Sequence, residues 1–332
     1  MLTQLRQKIV LSLAFAALVY LALTLYADAP KLAEALLHWD WGWLPVTLLA
    51  VLLNYGVRFL RWHYYLHVTK IQGVPRRSSF LIFFSGFSLT MVPGKLGELL
   101  KSLLLKSHYD IAISYSASIV AAERLTDVMA MTFLAALGVS IFPNGIPALA
   151  IILVVLVAAV ALMQSRALAE RLIDLFARLP VVGRFAGLIR NMYESAYLML
   201  RVRPLAIAFV LATLAWFGEC LAFFLILIGF GLPATLNLLL HATFIYASAS
   251  LIGAMTLMPG GIGTTEGSMT SLLQLLVGAS ATVAAGATLL VRVCTLWFAI
   301  VLGGIALFIF GRVEGKPALD ATAAKKETQP VG

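Results

Sequence analysis

Five stretches of this chain, residues 9–27, 43–60, 146–163, 205–232 and 281–310, hold few or no charged side chains. Each is long enough, or nearly so, to cross about 30 Å of hydrocarbon at 1.5 Å per helical residue. In lipid a backbone can satisfy its own polar groups only within a helix or a closed barrel, and unbroken apolar blocks exclude the alternating pattern of a barrel. The expected fold is therefore all-α, a polytopic helical membrane bundle. Composition agrees: only 12% of residues are charged and 61% are hydrophobic, whereas soluble domains carry about a quarter charged residues. No stretch is left for a folded soluble domain.

The net charge of +9 would suggest nucleic acid as the partner of a soluble protein. Here the basic residues gather between the apolar blocks, where they read as topology signals and contacts to lipid headgroups. Membrane lipids, and no nucleic acid, are the expected partners. Cys220 and Cys294 each stand alone inside an apolar block, which gives neither a disulfide framework nor a metal-ligand spacing. No metal and no cofactor is expected. Arg6 and Lys8 precede the first block, as in a secretory leader, but the block is too long for one and Pro30 would directly follow the cut. It reads as a retained first span.

Basic loops stay cytoplasmic. Residues 28–40, with Asp28, Glu34 and Asp40, form the expected outer loop; the stretch from Arg58 to Arg77, the connection 164–203 and the tail with Arg312, Lys316, Lys325 and Lys326 are expected inside. Both termini are then cytoplasmic. In the long connection Leu168, Leu172, Leu175, Phe176 and Leu179 recur at helical spacing, which fits either an interfacial helix on the inner leaflet or a helix packed under the bundle. The final residues, 312–332, are expected to be a disordered tail.

Two segments resist a simple span. One breaks at Pro93, Gly94, Lys95, Gly97 and Glu98 and has basic flanks on both sides, Arg76 and Arg77 before, Lys101 and Lys106 after. Such a segment fits a hairpin that enters from the cytoplasm and returns to it. The other breaks at Pro259, Gly260, Gly261, Gly263 and Glu266 and is expected to enter from outside. Each break is followed by a helix carrying an arginine, Arg124 or Arg292, and 124 minus 98 and 292 minus 266 both give 26 residues. Paired breaks at corresponding positions point to a transporter site built from inverted repeats. The repeats are placed at about 42–142 and 204–311, within a single transmembrane domain over 1–311.

Proline removes a backbone donor and glycine permits tight or left-handed turns, so a helix stops at each break. Interrupted backbone at membrane depth is tolerated where it lines protein or water, and the N–H groups of the following half-helix favour anions. Lys95, Glu98, Arg124, Asp127, Glu219, Glu266, Arg292 and Arg58 are the candidate substrate-binding residues, because charge within a bilayer generally faces the bundle interior. Structural roles stay open beside this. Glu98 with Arg124 and Glu266 with Arg292 fit ion pairs that lock each hairpin, and Arg124 can pair with Asp127 at i, i+3. Glu219 fits a proton or cation relay or a satisfied core acid. Arg58 and Arg61, ending a span, can simply reach to lipid phosphate. His241 has no partner pattern.

The motifs Pro93-Gly94-Lys95-Leu96-Gly97-Glu98, Glu123-Arg124-Leu125-Thr126-Asp127 and Pro259-Gly260-Gly261-Ile262-Gly263 with Glu266, together with Asn54 to Arg58 and Arg61-Trp62, resemble the lysylphosphatidylglycerol synthase transmembrane region, a family also called flippase-like. The resemblance covers roughly residues 10–311. Lys95 departs from it, standing where arginine is expected and offering one ammonium in place of a guanidinium fork. The resemblance implies a flippase-like module in the bacterial cytoplasmic (inner) membrane, moving phospholipids or polyprenyl-linked lipids between leaflets. The soluble aminoacyl-transfer domain of two-part members has no counterpart after the last span, which argues for lipid movement over synthesis and for a separately encoded lipid-modifying enzyme as partner. An ion-coupled small-molecule transporter is the alternative, and a membrane enzyme on lipid-linked substrates a more distant one.

Overall fold

The computed structural model describes residues 2–92, 96–139, 142, 145–177, 186–256 and 258–315, and every regular element among them is helical. Helix α1 (Leu2–Tyr26) meets α2 (Ala29–Leu37) at 93°. Asp28 between them is left-handed, with φ 66°, and Pro30 starts α2 in the first turn, where its missing N–H costs nothing. The stretch expected as an outer loop is thus a short amphipathic helix that buries Leu32 against Ala27 and Ala285. Just beyond it, the buried Trp39 donates from its indole to the Ile226 carbonyl at 3.0 Å.

Helix α3 (Leu44–Val68) continues about two turns past residue 60, where the apolar block was expected to end. Arg61 is consequently deep in the bundle, 2% exposed, and does not reach outward to lipid phosphate. Then follow α4 (Arg76–Ser85), prolonged by a 3-10 turn Gly86–Leu89, α5 (Leu96–Tyr109), α6 (Ile113–Leu137) and α7 (Ile146–Gln164). The basic connection forms α8 (Arg166–Ala177) and α9 (Ala186–Met199). Leu168 and Leu175 on α8 are exposed, whereas α9 buries Tyr193, Ala196 and Met199, and the Met192 carbonyl accepts from Ser118 Oγ of α6 at 2.9 Å. Arg166 ties the two helices together, reaching Glu170 at 2.9 Å and Glu194 at 2.6 Å. One helix presents apolar side chains outward and the other packs under the bundle.

The second half comprises α10 (Val202–Gly229), α11 (Leu236–Met255), α12 (Thr264–Leu272) with a π turn Leu273–Val277, and α13 (Ala281–Arg292), which runs through a π turn Val293–Trp297 into α14 (Phe298–Val313). Among the described residues five helices have the length and hydropathy to cross a membrane, or six if the bent α1–α2 pair is one span. The protein is an integral membrane protein. Helices α4, α5 and α12, of 10, 14 and 9 residues, are too short to cross. Helix α11, at 20 residues, is not.

Ser78, at the start of α4, donates to Glu314 just past α14, and the His108 ring near the end of α5 lies 4.9 Å from that of Phe310. Both ends of the α4–α5 pair therefore lie where α14 finishes. At the opposite end of the α13–α14 helix, Thr282 donates to the Ala27 carbonyl at 3.1 Å. Leu238, near the start of α11, shares an apolar cluster with Trp39, and only residues 278–280 separate the π turn after α12 from α13. The interruptions themselves meet: Met91 and Ile262 pack in one small cluster with Ala16 and Leu296.

Helix boundaries recur at a constant offset. Between α5 and the α12 segment, 264 minus 96 and 277 minus 109 both give 168, and so does 281 minus 113 for the starts of α13 and α6. Asp110 and Gly278, at the same offset, are both left-handed, with φ 53° and 72°. Two further contacts fasten α13–α14 to the first half. The Tyr55 hydroxyl donates to the Thr295 carbonyl inside the π turn at 2.6 Å. Gly303 approaches α4 and its 3-10 end so closely that a Cβ would fall 2.3 Å from Ser88 N and 2.9 Å from Phe84 O.

Candidate functional site

Asp127 on α6 is the hub of one charged cluster. Its Oδ1 accepts from Arg61 Nη1 at 2.8 Å and from the Trp216 indole at 3.0 Å, and its Oδ2 lies 3.3 Å from Arg124 Nη1. Arg61 and Asp127 are both 2% exposed, whereas the Arg124 side chain is 39% exposed. A buried charge without a partner costs several kcal/mol, which is why α3, α6 and α10 all send groups to this point. The i, i+3 pairing of Arg124 with Asp127 expected from the sequence is present.

Glu219 on α10 organises a second cluster. Its Oε1 accepts from Asn54 Nδ2 at 3.2 Å and Arg58 Nη2 at 3.1 Å, and its Oε2 accepts from the Tyr246 hydroxyl at 2.7 Å. Asn54 Oδ1 in turn accepts from Arg58 Nε at 3.1 Å. The Arg58 guanidinium lies 4.6 Å from the Trp216 ring centroid, in cation–π range. Both carboxylate oxygens of Glu219 thus accept from other helices, and Trp216 joins the two clusters. Arg58, like Arg61, is engaged by an acid of another helix.

Lys101 was read from the sequence as a basic flank of the first hairpin. It is 5% exposed, with Nζ 2.7 Å from Glu123 Oε2 and 4.5 Å from the centroid of Trp62. Its surroundings of Leu99, Leu100, Leu103 and Leu104 were the one signal that this lysine is not at the surface. Lys101 and Glu123, together with Arg61, Trp216 and Tyr246, are site residues absent from the candidates read from the sequence.

In the second half Arg292 Nε lies 2.7 Å from Glu266 Oε1, and another nitrogen of the guanidinium donates to the Gly260 carbonyl. Glu266 Oε2 accepts from the Gly263 backbone N–H at 2.7 Å. The three glycines of the break are left-handed: Gly260 at φ 59°, Gly261 at 68° and Gly263 at 89°. The expectation that free N–H groups at this half-helix meet an anion is corrected at Gly263, whose N–H is taken by the protein's own carboxylate. Glu266 is wholly buried.

A cavity of about 600 Å³ collects these elements. Arg58, Lys101, Arg124, Asp127, Glu219 and Arg292 all line it, as do Pro259, Gly260 and Gly261 of the second break. Gly263 faces α1 instead, where its Cβ would fall 3.5 Å from Val19. Among the described lining residues five are cationic (with Arg61) and three are anionic (with Glu123). Pro93, Gly94 and Lys95, and the side chain of Glu98, lie outside the described residues, while Gly97 falls in the first turn of α5. His241 bonds only the Asn237 carbonyl one turn earlier, at 2.7 Å. Among the described residues no three His, Cys, Asp or Glu side chains cluster to hold a metal.

The sequence matches the family described as the lysylphosphatidylglycerol synthase TM region over residues 9–303. A UPF0104 membrane protein of Methanothermobacter thermautotrophicus is 26% identical over 312 residues, covering 88% of this chain and 90% of that relative. A second UPF0104 membrane protein of the same organism is 24% identical over 311 residues, covering 82% and 88%.

Proposed function

We propose a lipid-moving function from one premise: the chain belongs to the family of the lysylphosphatidylglycerol synthase transmembrane region. The protein transfers an anionic or zwitterionic phospholipid, or a polyprenyl-linked lipid, between leaflets. The observation that carries this reading is the single cavity onto which Arg124 of α6 and Arg292 of α13 both open, beside the interrupted backbone at Gly260 and Gly261. Five cations against three anions in its described lining favour a phosphate-bearing headgroup, which guanidinium groups bind strongly.

In this reading the α4–α5 and α11–α12 pairs are hairpins that enter the bilayer from opposite sides and belong to inverted repeats. The opposite placement of their outer ends and the constant offset of 168 residues (264 minus 96) support it. Both termini are cytoplasmic, in a bacterial inner membrane, and the lipid is supplied by a separately encoded lipid-modifying enzyme. Arg124, the more exposed of the two arginines, is the headgroup contact. Arg292 holds the second break in shape. Glu219, with three donors to its carboxylate, has little freedom to relay ions, which counts against the ion-coupled alternative.

The test is a leaflet assay in liposomes containing fluorescent phosphatidylglycerol and read with a membrane-impermeant quencher. Wild-type protein should equilibrate the lipid between leaflets faster than protein-free liposomes and faster than Arg124→Gln. Equal rates in all three, repeated with a polyprenyl phosphate, would remove the proposal.

A further inference from the structure

The cavity has a side that the charged residues do not explain. Ile151 and Val155 of α7, Met255 at the end of α11 and Met258 in the break all line it, yet each is exposed on the outside of the bundle, Val155 at 60% and Met255 at 71%. A residue that both lines a cavity and faces outward marks its mouth. These four are apolar; Thr90, another exposed residue of the lining, spends its hydroxyl on the Phe87 carbonyl at 2.8 Å. Val155 is the tenth residue of the 19-residue α7, so the α7 edge of the opening lies midway along that helix. Of the apolar window of α7 only 6% is buried, so this helix is a thin outer wall.

Helix α6 lines the cavity with both apolar and charged residues, Asp127 standing beside Val128. Met131, Val128 and Arg124 follow one another on α6 at spacings of three and four residues and all three line the cavity. From Met131 to Arg124 is about 10 Å along the helix. The cavity thus offers a thioether and a branched alkyl group at Met131 and Val128 and a guanidinium at Arg124 on the same helix. Its volume, about 600 Å³, falls in the range of about 300–1,000 Å³ that encloses a drug-sized group, which suits a headgroup and not a lipid with its chains.

We propose that the gap framed by Ile151, Val155, Met255 and Met258 is a lateral portal that seats the hydrocarbon chain of a membrane lipid, its headgroup at Arg124 and its tail leaving toward Met131 and out between α7 and α11. This rests on the lipid-moving reading and narrows it: the substrate enters from within the bilayer, and a substrate without a hydrocarbon chain has no complement at the mouth.

The test uses the full chain in vesicles of phosphatidylethanolamine and phosphatidylglycerol in which the phosphatidylglycerol bears a photoactivatable diazirine near the start of one acyl chain. Adducts should form on the four rim residues and on Met131, which lines the cavity and is 3% exposed. Val155→Trp should lower the Met131 adduct roughly tenfold, corresponding to about 1.4 kcal/mol of lost occupancy. Val154→Trp, on the outer face of α7, should leave it unchanged, with the same unfolding temperature in both variants. Adducts confined to Leu153, Val154 and Val157, or a Met131 adduct that Val155→Trp does not lower, would overturn the portal. Lipid that equilibrates between leaflets while Met131 stays unlabelled would sink the portal and leave the transport reading standing. A labelled Met131 in a protein that moves no lipid would do the reverse.

Discussion

Arg292 and Glu266 lie 26 residues apart in sequence and 2.7 Å apart in space, and the carboxylate that holds the guanidinium also caps the Gly263 N–H. The pair joins α13 to the first turn of α12, while a second guanidinium nitrogen fixes the Gly260 carbonyl in the break. Removing one member of such a pair leaves the other buried and uncompensated, a cost of roughly 3–5 kcal/mol. Arg292→Gln should therefore lower the unfolding temperature of the purified protein sharply. Arg124→Gln, at a 39% exposed side chain, should lower it little while removing lipid movement. Equal thermal stability of the two variants would refute this division of roles.

Tyr246 supplies the donor on the Oε2 side of Glu219. Tyr246→Phe keeps the ring and its packing against Phe223 but strips that bond from a buried carboxylate. The expected loss is roughly 1–3 kcal/mol. Urea or thermal unfolding of the variant in detergent measures it, and a shift no larger than that of a substitution in exposed α8 would show that Glu219 does not need the hydroxyl.

Gly303 and Gly304 are adjacent on α14 but have opposite surroundings. A Cβ on Gly303 would meet backbone of the first half at 2.3 Å, while one on Gly304 meets nothing within 4 Å. Backbone cannot swing aside as a side-chain tip can. Gly303→Ala should destabilise by roughly 1–3 kcal/mol through overpacking, and Gly304→Ala should be neutral or slightly favourable. Thermal shifts of the two single variants, compared side by side, decide the matter.

The left-handed corners at Asp110 and Gly278 predict a third contrast. Such a conformation costs an ordinary side chain about 1–2 kcal/mol, and aspartate tolerates it better than alanine. Gly278 has no neighbour within 4 Å of a built Cβ, so strain alone is at issue. Gly278→Asp should retain more stability than Gly278→Ala in the same unfolding assay.

The spans were legible in the sequence because hydropathy acts over whole helices: the apolar blocks at 146–163 and 205–232 agree with Ile146–Gln164 and Val202–Gly229 to within three residues. Arg292 with Glu266 was legible because both sit beside a glycine-rich interruption that only a cavity or tight packing tolerates. Arg61 and Lys101 were not, for a physical reason. A charge near the end of an apolar run has the same local sequence whether it reaches out to phosphate or inward to an acid. The deciding partners, Asp127 and Glu123, come from a helix 66 and 22 residues further on (127 minus 61 and 123 minus 101). Helix α2 was missed because its acids marked a loop, while the turn that makes it a helix rests on Asp28 adopting φ 66°.

The π turn at Val293–Trp297 has a geometric effect far from its own hydrogen bonds. A wide turn of this kind is an extra residue inserted in an α-helix, and each residue advances the helix by about 100°. It therefore dials α14 round by more than a quarter-revolution relative to α13. With that offset the bare backbone of Gly303 faces Ser88; in an uninterrupted helix a neighbouring bulky side chain would be aimed there instead. The angle at which the last helix meets the first interruption is thus set by one surplus residue, at the nearest six positions upstream of the contact (303 minus 297).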